Sequence, residues 1–327
     1  MRVTTTPVCD SVLTGRGAWT SADFSGPDDW TLQLPPTVVE EMEEALRAIR
    51  ARGKTLSTVA AEDFPLPSWV AVAARLREEL RSGRGFVILR GLPVDRFPED
   101  EAAMLYWGLG AHLGVPLPQN VRGERLYSVR DEGQNIQRDY GTVGVRFSKT
   151  TERLHFHTDS APALLLNTPD VVGLFALRVA MSGGESKLVS AQTLHNLILR
   201  ERPDLLERLY RPYHFDRSAE WRPGEPRTLD APVFTYNGSL AIRYFRFYIP
   251  KGHDLAGEPL GPADTEPLDF LESVADREEI QAIFSMEPGD IQLVNNIFIL
   301  HNRTGFVDYP EPDRRRHLLR LWLNLHP

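Results

Sequence analysis

The segment Leu154–Ser160, LHFHTDS, places two imidazoles and one carboxylate within five residues. His155, His157 and Asp159 occupy alternate positions, and alternate residues of a strand share a face. All three are therefore expected to point into one cavity. Two imidazoles and a carboxylate on one face of an octahedral ion form the arrangement that holds non-haem Fe(II) and leaves positions open for other groups. A His-x-Asp pair supplies two such ligands from one strand end, so a third must come from elsewhere. The candidate is His301, in GDIQLVNNIFILHNRTGF. There Pro288-Gly289-Asp290 reads as one turn and Asn295-Asn296 as a second, after which Ile297, Ile299 and His301 share a face. Taken alone, the segment is better explained as a polar strand end with its histidines hydrogen-bonded in the core.

The final apolar run, RHLLRLWLNL, separates into two faces. His317, Leu319, Leu321, Leu323 and Leu325 form a packing side. Arg316, Leu318, Arg320, Trp322 and Asn324 lie opposite. Two arginines directed inward are costly unless anions meet them, and the planar guanidinium suits a carboxylate better than an ammonium does.

These residues need elements to hold them. PPTVVEEMEEALRAIRARG from Pro35, the stretch from Ser68-Trp69 to Arg81, and PEDEAAMLYWGLGAHLG from Pro98 each read as a helix. Leu105, Leu109 and Leu113 recur on one face of the third. GRGFVILRGLP (83–93) reads as a short strand. Beyond Gly114 the pattern changes to short strands: 124–129, 152–159, 170–180, 231–249, the run after Asp290, and 316–325. GGES (183–186) is a turn, 191–202 and 203–210 form a helical insert, and 267–285 reads as helical. Residues 1–30 show no sustained period and are expected to be an irregular arm. Residues 31–327 are expected to form a single domain, with its helical insert near 191–210. A helical first third followed by many short strands points to an α+β, mainly β fold built on a sandwich or barrel.

Composition narrows the classes further. The chain has 327 residues, 42% of them hydrophobic and 25% charged, with 37 Lys plus Arg against 45 Asp plus Glu and a formal net charge of −8. That balance offers no general attraction to nucleic acid or to an anionic membrane. One cysteine, Cys9, allows no intramolecular disulfide. The N-terminus lacks an apolar signal core, and no run of 18 apolar residues is present. A soluble, cytoplasmic protein acting on a small molecule is expected, with no nucleic-acid or membrane partner; a homo-oligomer is left open.

Combined, His157-x-Asp159, a distant His301 and Arg316 fifteen residues later form a pattern far more specific than its parts. With GFVILRGLPV, GGES, PGDIQLVNN, LHNRTGF and RRRHLLRLWL, it resembles the Fe(II)/2-oxoglutarate-dependent dioxygenases of the taurine dioxygenase and 2,4-dichlorophenoxyacetate dioxygenase (TauD/TfdA) family, which includes clavaminate synthase-like enzymes. The resemblance implies a double-stranded β-helix, the cupin-like jelly-roll, with flanking helices. It implies Fe(II), 2-oxoglutarate and O2 as cofactors and co-substrates, with His157, Asp159 and His301 as metal ligands. It places Arg316 on the far carboxylate of 2-oxoglutarate, assisted by Ser186. Arg320 falls where some members hold an acidic group of the substrate or co-substrate. Arg153 and His155 are further candidates for the substrate side. The implied activity is hydroxylation of a small carboxylate or amino-acid-like metabolite, with release of succinate and CO2; Asp159 argues against halogenation. Desaturation, cyclisation or epoxidation at the same site, a non-catalytic metal- or ligand-binding jelly-roll, a zinc hydrolase and a nucleic-acid demethylase are the competing readings.

Overall fold

Alternation along the last strand decides how the large sheet is used. The computed structural model describes residues 6–139, 146–162, 168–217 and 221–326. In it His317–Leu325 is a strand paired with Val171–Arg178 on one side and with Leu126–Val129 and Gly114–Pro116 on the other. The sheet continues through Ile291–Asn295 and Phe86–Arg90 to Thr31–Gln33. Leu319, Leu321 and Leu323 are buried with Leu105, Leu109 and Leu113, as the two-faced sequence pattern requires. Three helices, Pro36–Ala51, Pro67–Ser82 and Glu99–Leu113, cover this face through Met42, Leu46, Trp69 and Leu76.

The opposite face meets a second sheet. Within Phe86–Arg90, Val87 and Leu89 join the helical core, while Phe86 and Ile88 join Leu188, Val189, Ile299 and Leu300. Period-two alternation thus assigns one strand to two cores. The second sheet is antiparallel, in the order Gln281–Phe284, Ser186–Ser190, Ile299–Arg303, Leu154–His157. A hydrogen bond of 2.7 Å from the Ser186 hydroxyl to Gln292 Oε1 ties the sheets together. At the tight turn before Ser186, Gly183 has φ +72° and its backbone lies against Gly305, so a Cβ would fall 2.3 Å from the Gly305 carbonyl oxygen; only glycine fits both conditions.

Helices Ala191–Glu201 and Pro203–Leu209 fall where the sequence places them, with Pro203 in the first turn of the second. Ser190 caps the first by accepting from the backbone of Gln192 and Thr193. Two segments differ from the sequence reading. The run 231–249 holds the hairpin Phe234–Tyr236 and Leu240–Ile242, and then helix Tyr248–Ala256 begins. Its aromatic residues suit a strand locally, but Tyr244, Phe245 and Ile249 are fixed by packing in the core. The run 267–285 splits into helix Pro262–Ala275 and strand Gln281–Phe284, because the latter pairs with Ser186–Ser190. The N-terminal arm has two short 3₁₀ turns and docks firmly. Trp19 is buried, donates to the Arg84 carbonyl at 2.8 Å and packs against Phe24 and Phe86. Among the described residues no helix is long and apolar enough to cross a membrane.

His195, fully buried in helix Ala191–Glu201, lies 2.9 Å through Nε2 from the Tyr210 hydroxyl. Burial pushes its imidazole down to about 4, whereas an unfolded histidine titrates near ~6.5. The neutral ring is therefore favoured in the fold. Its contribution is complete above about pH 6.5 and is lost as pH falls toward about 4, by up to roughly 3 kcal/mol. Urea midpoints measured between pH 4 and 7 should fall more steeply for the wild type than for His195→Gln. Equal slopes would remove His195 from the acid sensitivity.

Candidate active site

His157 and His301 are direct register partners across strands Leu154–His157 and Ile299–Arg303, which brings their ring centroids to 4.2 Å. Two residues further along, Arg303 pairs with Leu154, three residues from His157. One strand therefore carries an extra residue, a bulge that breaks its alternation. His157 is buried and His155 is exposed, so the two histidines expected on one face are separated. His155 contributes through its backbone instead. Its carbonyl accepts from His157 Nδ1 at 2.9 Å, which fixes the tautomer and leaves Nε2 for the site.

Asp159 lies beyond the strand end, and its backbone is held from both sides. Its N–H donates to Asn296 Oδ1 at 2.8 Å, and Asn296 Nδ2 donates to its carbonyl at 3.0 Å. Ser160 then adopts φ +64°, the one positive value for a non-glycine among the described residues. Such a conformation persists where surrounding contacts overdetermine it. Asp159 Oδ1 lies 3.4 Å from His157 Nε2 and 3.7 Å from His301 Nε2. All three of these side-chain atoms lie within 4.8 Å of one another, compact enough for one ion to take them together.

The second oxygen of Asp159 faces the other way. Trp322 Nε1 donates to Oδ2 at 2.8 Å and Arg320 Nη1 at 3.1 Å. Arg320 is itself held by Gln119, whose Oε1 accepts from Nε at 2.7 Å and whose Nε2 donates to the Arg320 carbonyl. Burial alone would raise the Asp159 carboxyl. The Arg320 guanidinium and the two imidazoles outweigh it and hold the group well below the ordinary carboxylate range. Burial also pushes His301 down to about 4, with the His157 ring adding to the effect. The carboxylate of Asp159 is thus kept charged and the imidazole of His301 neutral, the protonation states a divalent metal requires of these two groups.

Toward the far end of the same strand sit two further cations. Arg303 and Arg316 flank the Phe306 ring, at 4.7 and 5.1 Å from its centroid. Both are buried, and among the described residues neither has a carboxylate at ion-pair distance. Arg303 donates to the carbonyls of Thr150 and Glu152. Among the described residues Arg316 Nη1 and Arg303 Nε have no hydrogen-bond partner. Burial, reinforced by the neighbouring Arg303, lowers Arg316 to about 9. Ser186 is the cross-strand partner of Arg303. A site with two uncompensated guanidinia fits a carboxylate-bearing molecule.

A cavity bordered by His157 and Asp159 is lined also by Arg146, Phe147, Ser148, Phe245, Tyr248 and Arg320, among others. Arg320 lines it as the sequence suggests, but its guanidinium engages Asp159 and Gln119 rather than standing open to a substrate. Arg153 is not part of the lining; it forms an ion pair with Asp276 at 2.7 Å on the surface. The sequence reading assigned no role to Gln119, Arg146, Ser148 or Trp322, and it read Asn296 only as a turn residue. It also passed over Arg303, although two-residue spacing from His301 on a strand was a usable signal.

Residues 51–322 match the family described as Taurine catabolism dioxygenase TauD, TfdA family. Over 317 residues the chain is 33% identical to FR-33289 synthase of Streptomyces rubellomurinus (strain ATCC 31215), an alignment covering 96% of this chain and 90% of that one. It is 28% identical over 317 residues to taurine hydroxylase-like protein SAT17 of Stachybotrys chartarum (strain CBS 109288 / IBT 7711), covering 93% and 77%. Among solved structures, asparagine oxygenase in complex with Fe(II), 2S,3S-3-hydroxyasparagine and succinate superposes with a TM-score of 0.65 at 21% identity, over 90% of this chain and 93% of that one. The non-haem iron oxygenase OrfP in complex with Fe and alpha-ketoglutaric acid gives 0.62 at 17%, over 90% and 94%. The structural likenesses speak for the fold; the family match and the 33% relative speak for descent. Neither a zinc hydrolase nor a non-catalytic jelly-roll accounts for this match together with a buried His–Asp–His cluster and two unpaired arginines. The chain belongs to the TauD, TfdA dioxygenase family, and it is a non-haem Fe(II)/2-oxoglutarate-dependent oxygenase.

Proposed function

We propose that His157, Asp159 and His301 hold Fe(II), that Arg316 with Ser186 holds the far carboxylate of 2-oxoglutarate, and that the enzyme hydroxylates an unactivated C–H of a small carboxylate or amino-acid-like metabolite, releasing succinate and CO2. The observation that carries this reading is the carboxylate of Asp159, with one oxygen turned to two imidazoles and the other capped by Arg320 and Trp322. Its presence favours hydroxylation, since a halide would need that position vacated. Asparagine oxygenase with 3-hydroxyasparagine and OrfP with (3S)-hydroxy-L-Arg motivate the amino-acid-like class. The shared core between the inner faces of the two sheets supports a double-stranded β-helix, with residues 31–327 as one domain and 1–30 as its docked arm.

Bound iron, with 2-oxoglutarate and O2, supplies the oxidising chemistry. The chain supplies position. The His155 carbonyl orients the His157 ring, the Arg320–Trp322 pair leaves Asp159 one oxygen to present, and Asn296 fixes where that oxygen stands. Phe147, Phe245 and Tyr248 give the adjacent cavity an aromatic wall. Anaerobic titration with Fe(II) and 2-oxoglutarate should produce a weak visible charge-transfer band, and a substrate screen read by succinate and product mass identifies the reaction. A protein that binds iron without this band would refute the reading.

His157→Ala, Asp159→Ala and His301→Ala are each expected to abolish iron binding while circular dichroism stays unchanged. His155→Ala should keep it, because only its carbonyl is used. A His155→Ala protein without iron would reverse the choice between the two histidines.

For Arg316→Leu, the 2-oxoglutarate requirement should rise about ten- to a hundredfold, since a charge-assisted bond is worth roughly 1.5–3 kcal/mol. Lysine at 316 should restore only part, because a point charge lacks the planar fork. Arg320→Leu and Trp322→Phe should instead weaken iron binding, by about ten- to a hundredfold for a partner behind a metal ligand. Separate titrations of metal and 2-oxoglutarate distinguish these roles. An Arg320→Leu enzyme with intact metal affinity would return that residue to the substrate.

A further inference from the structure

Asp159 stands beyond the end of its strand, so something other than strand pairing must fix the chain on either side of it. Residues 243–245 run alongside. Phe245 forms an antiparallel bridge with His157, and its ring lies 4.7 Å from the imidazole. One residue on, the Thr158 N–H donates to the Tyr244 carbonyl at 2.8 Å and the Tyr244 N–H to Thr158 Oγ1 at 3.1 Å. Arg243 continues the pairing with its side chain. Its Nη1 donates to the carbonyls of Ala161 at 2.6 Å and Ser160 at 3.2 Å, and its Nη2 to Thr168 Oγ1 at 3.0 Å. Its own N–H donates to the Val233 carbonyl at 2.8 Å, which ties it to the hairpin Phe234–Tyr236 and Leu240–Ile242. Burial lowers the guanidinium only to about 10. It therefore stays charged at neutral pH, and its bonds to the carbonyls are charge-assisted. Successive carbonyls of an extended chain point to opposite sides. One nitrogen that reaches both of these requires a turn between them, and Ser160 makes it at φ +64°. A serine seldom adopts that conformation unaided.

We infer that Arg243 is a positioning residue for the metal site: by clamping the carbonyls of Ser160 and Ala161 it keeps Ser160 left-handed and fixes how Asp159 presents its carboxylate. This rests on the reading of His157, Asp159 and His301 as the Fe(II) ligands. Asn296 holds the N–H and carbonyl of Asp159 itself, and Arg243 holds the two carbonyls that follow. A relaxed Ser160 would carry Asp159 Oδ1 away from the imidazoles, which now lie at 3.4 and 3.7 Å. Lysine at 243 has one nitrogen in place of the planar fork and reaches fewer of the three acceptors. Glycine at 160 takes a positive φ without help, so it removes the need for the clamp. That link separates positioning from packing. Losing a packed arginine costs stability whatever stands at 160, whereas a loss of metal affinity through the turn is relieved by glycine there.

The test titrates the intact, metal-free protein with Co(II), whose visible absorption reports binding without turnover. Four variants are compared with the wild type: Arg243→Met, Arg243→Lys, Ser160→Gly and the double variant Arg243→Met with Ser160→Gly. Arg243→Met should weaken Co(II) by about tenfold, the lower end of the effect of removing a support behind a metal ligand. Arg243→Lys should lose less. Ser160→Gly alone should bind at least as tightly as the wild type, and in the double variant it should recover most of the loss caused by Arg243→Met. Where Arg243→Met does not fold, Arg243→Lys with and without Ser160→Gly serves as the same comparison. The inference falls if the arginine variant binds Co(II) as the wild type does, or if Ser160→Gly recovers none of its loss. A wild type that takes up no Co(II), or a His157→Ala protein that binds it equally well, is a different result. It refutes the assignment of the metal ligands instead.

Discussion

A buried carboxylate is the constraint on which the rest of the site depends. Asp159 is almost withdrawn from solvent, and an unpaired charge there would be expelled by protonation or by unfolding. Its two oxygens are matched separately. Arg320 and Trp322 satisfy one with a charge and a neutral donor, and the other is left facing two imidazoles. Gln119 holds the arginine in place, and it is satisfied in turn by the carbonyls of Arg125 and Arg320. This chain of partners runs from the last strand of the large sheet to a loop at the end of the small one. Local propensity at HTDS would not stabilise it, because Arg320 and Trp322 lie more than 160 residues away in sequence.

The two arginines on Phe306 pose the converse problem. They are buried cations with no carboxylate at ion-pair distance among the described residues, and the proximity of one lowers the proton affinity of the other. Proteins tolerate such a pair where a ligand completes it. The strand Ile299–Arg303 links both halves, since it carries His301 at its centre and Arg303 at its end. Arg303 also grips the carbonyls of Thr150 and Glu152, directly after the segment that contributes Arg146, Phe147 and Ser148 to the cavity wall. One strand thereby sets the relative positions of His301, Arg303 and the cavity wall formed by Arg146, Phe147 and Ser148.

Rigidity around the site follows from how its loops are closed. Asn295 accepts from the backbone of Ile297 and Phe298 and so shapes the turn, while Asn296 binds both backbone polar groups of Asp159. Adjacent amides thus do different work, one forming its own turn and the other fixing a distant ligand. The left-handed Ser160 shows that the chain is bent sharply to bring Asp159 back over the strand end.

Much of this protein was legible in its sequence. The two-faced pattern of His317–Leu325 determined which side packs on helices and which carries arginines, because strand periodicity is a local property. The helices starting near Pro35, Ser68 and Pro98 were legible as helical runs, the third from Leu105, Leu109 and Leu113 recurring on one face. His-x-Asp, a distant histidine and an arginine fifteen residues later indicated the site as a set. Tertiary structure decided the rest. The bulge opposite His301 and Arg303 turned His155 outward, and a bulge exists only once two strands are paired. Arg320 looked free for a substrate until folding placed Asp159 beside it. The strand Gln281–Phe284 was hidden in a helix-like run because its stability comes from pairing with Ser186–Ser190. Spacing along the chain specifies which residues share a face of one element; which elements then meet is fixed by burial and pairing across the whole molecule, and that is where the partners of Asp159 were chosen.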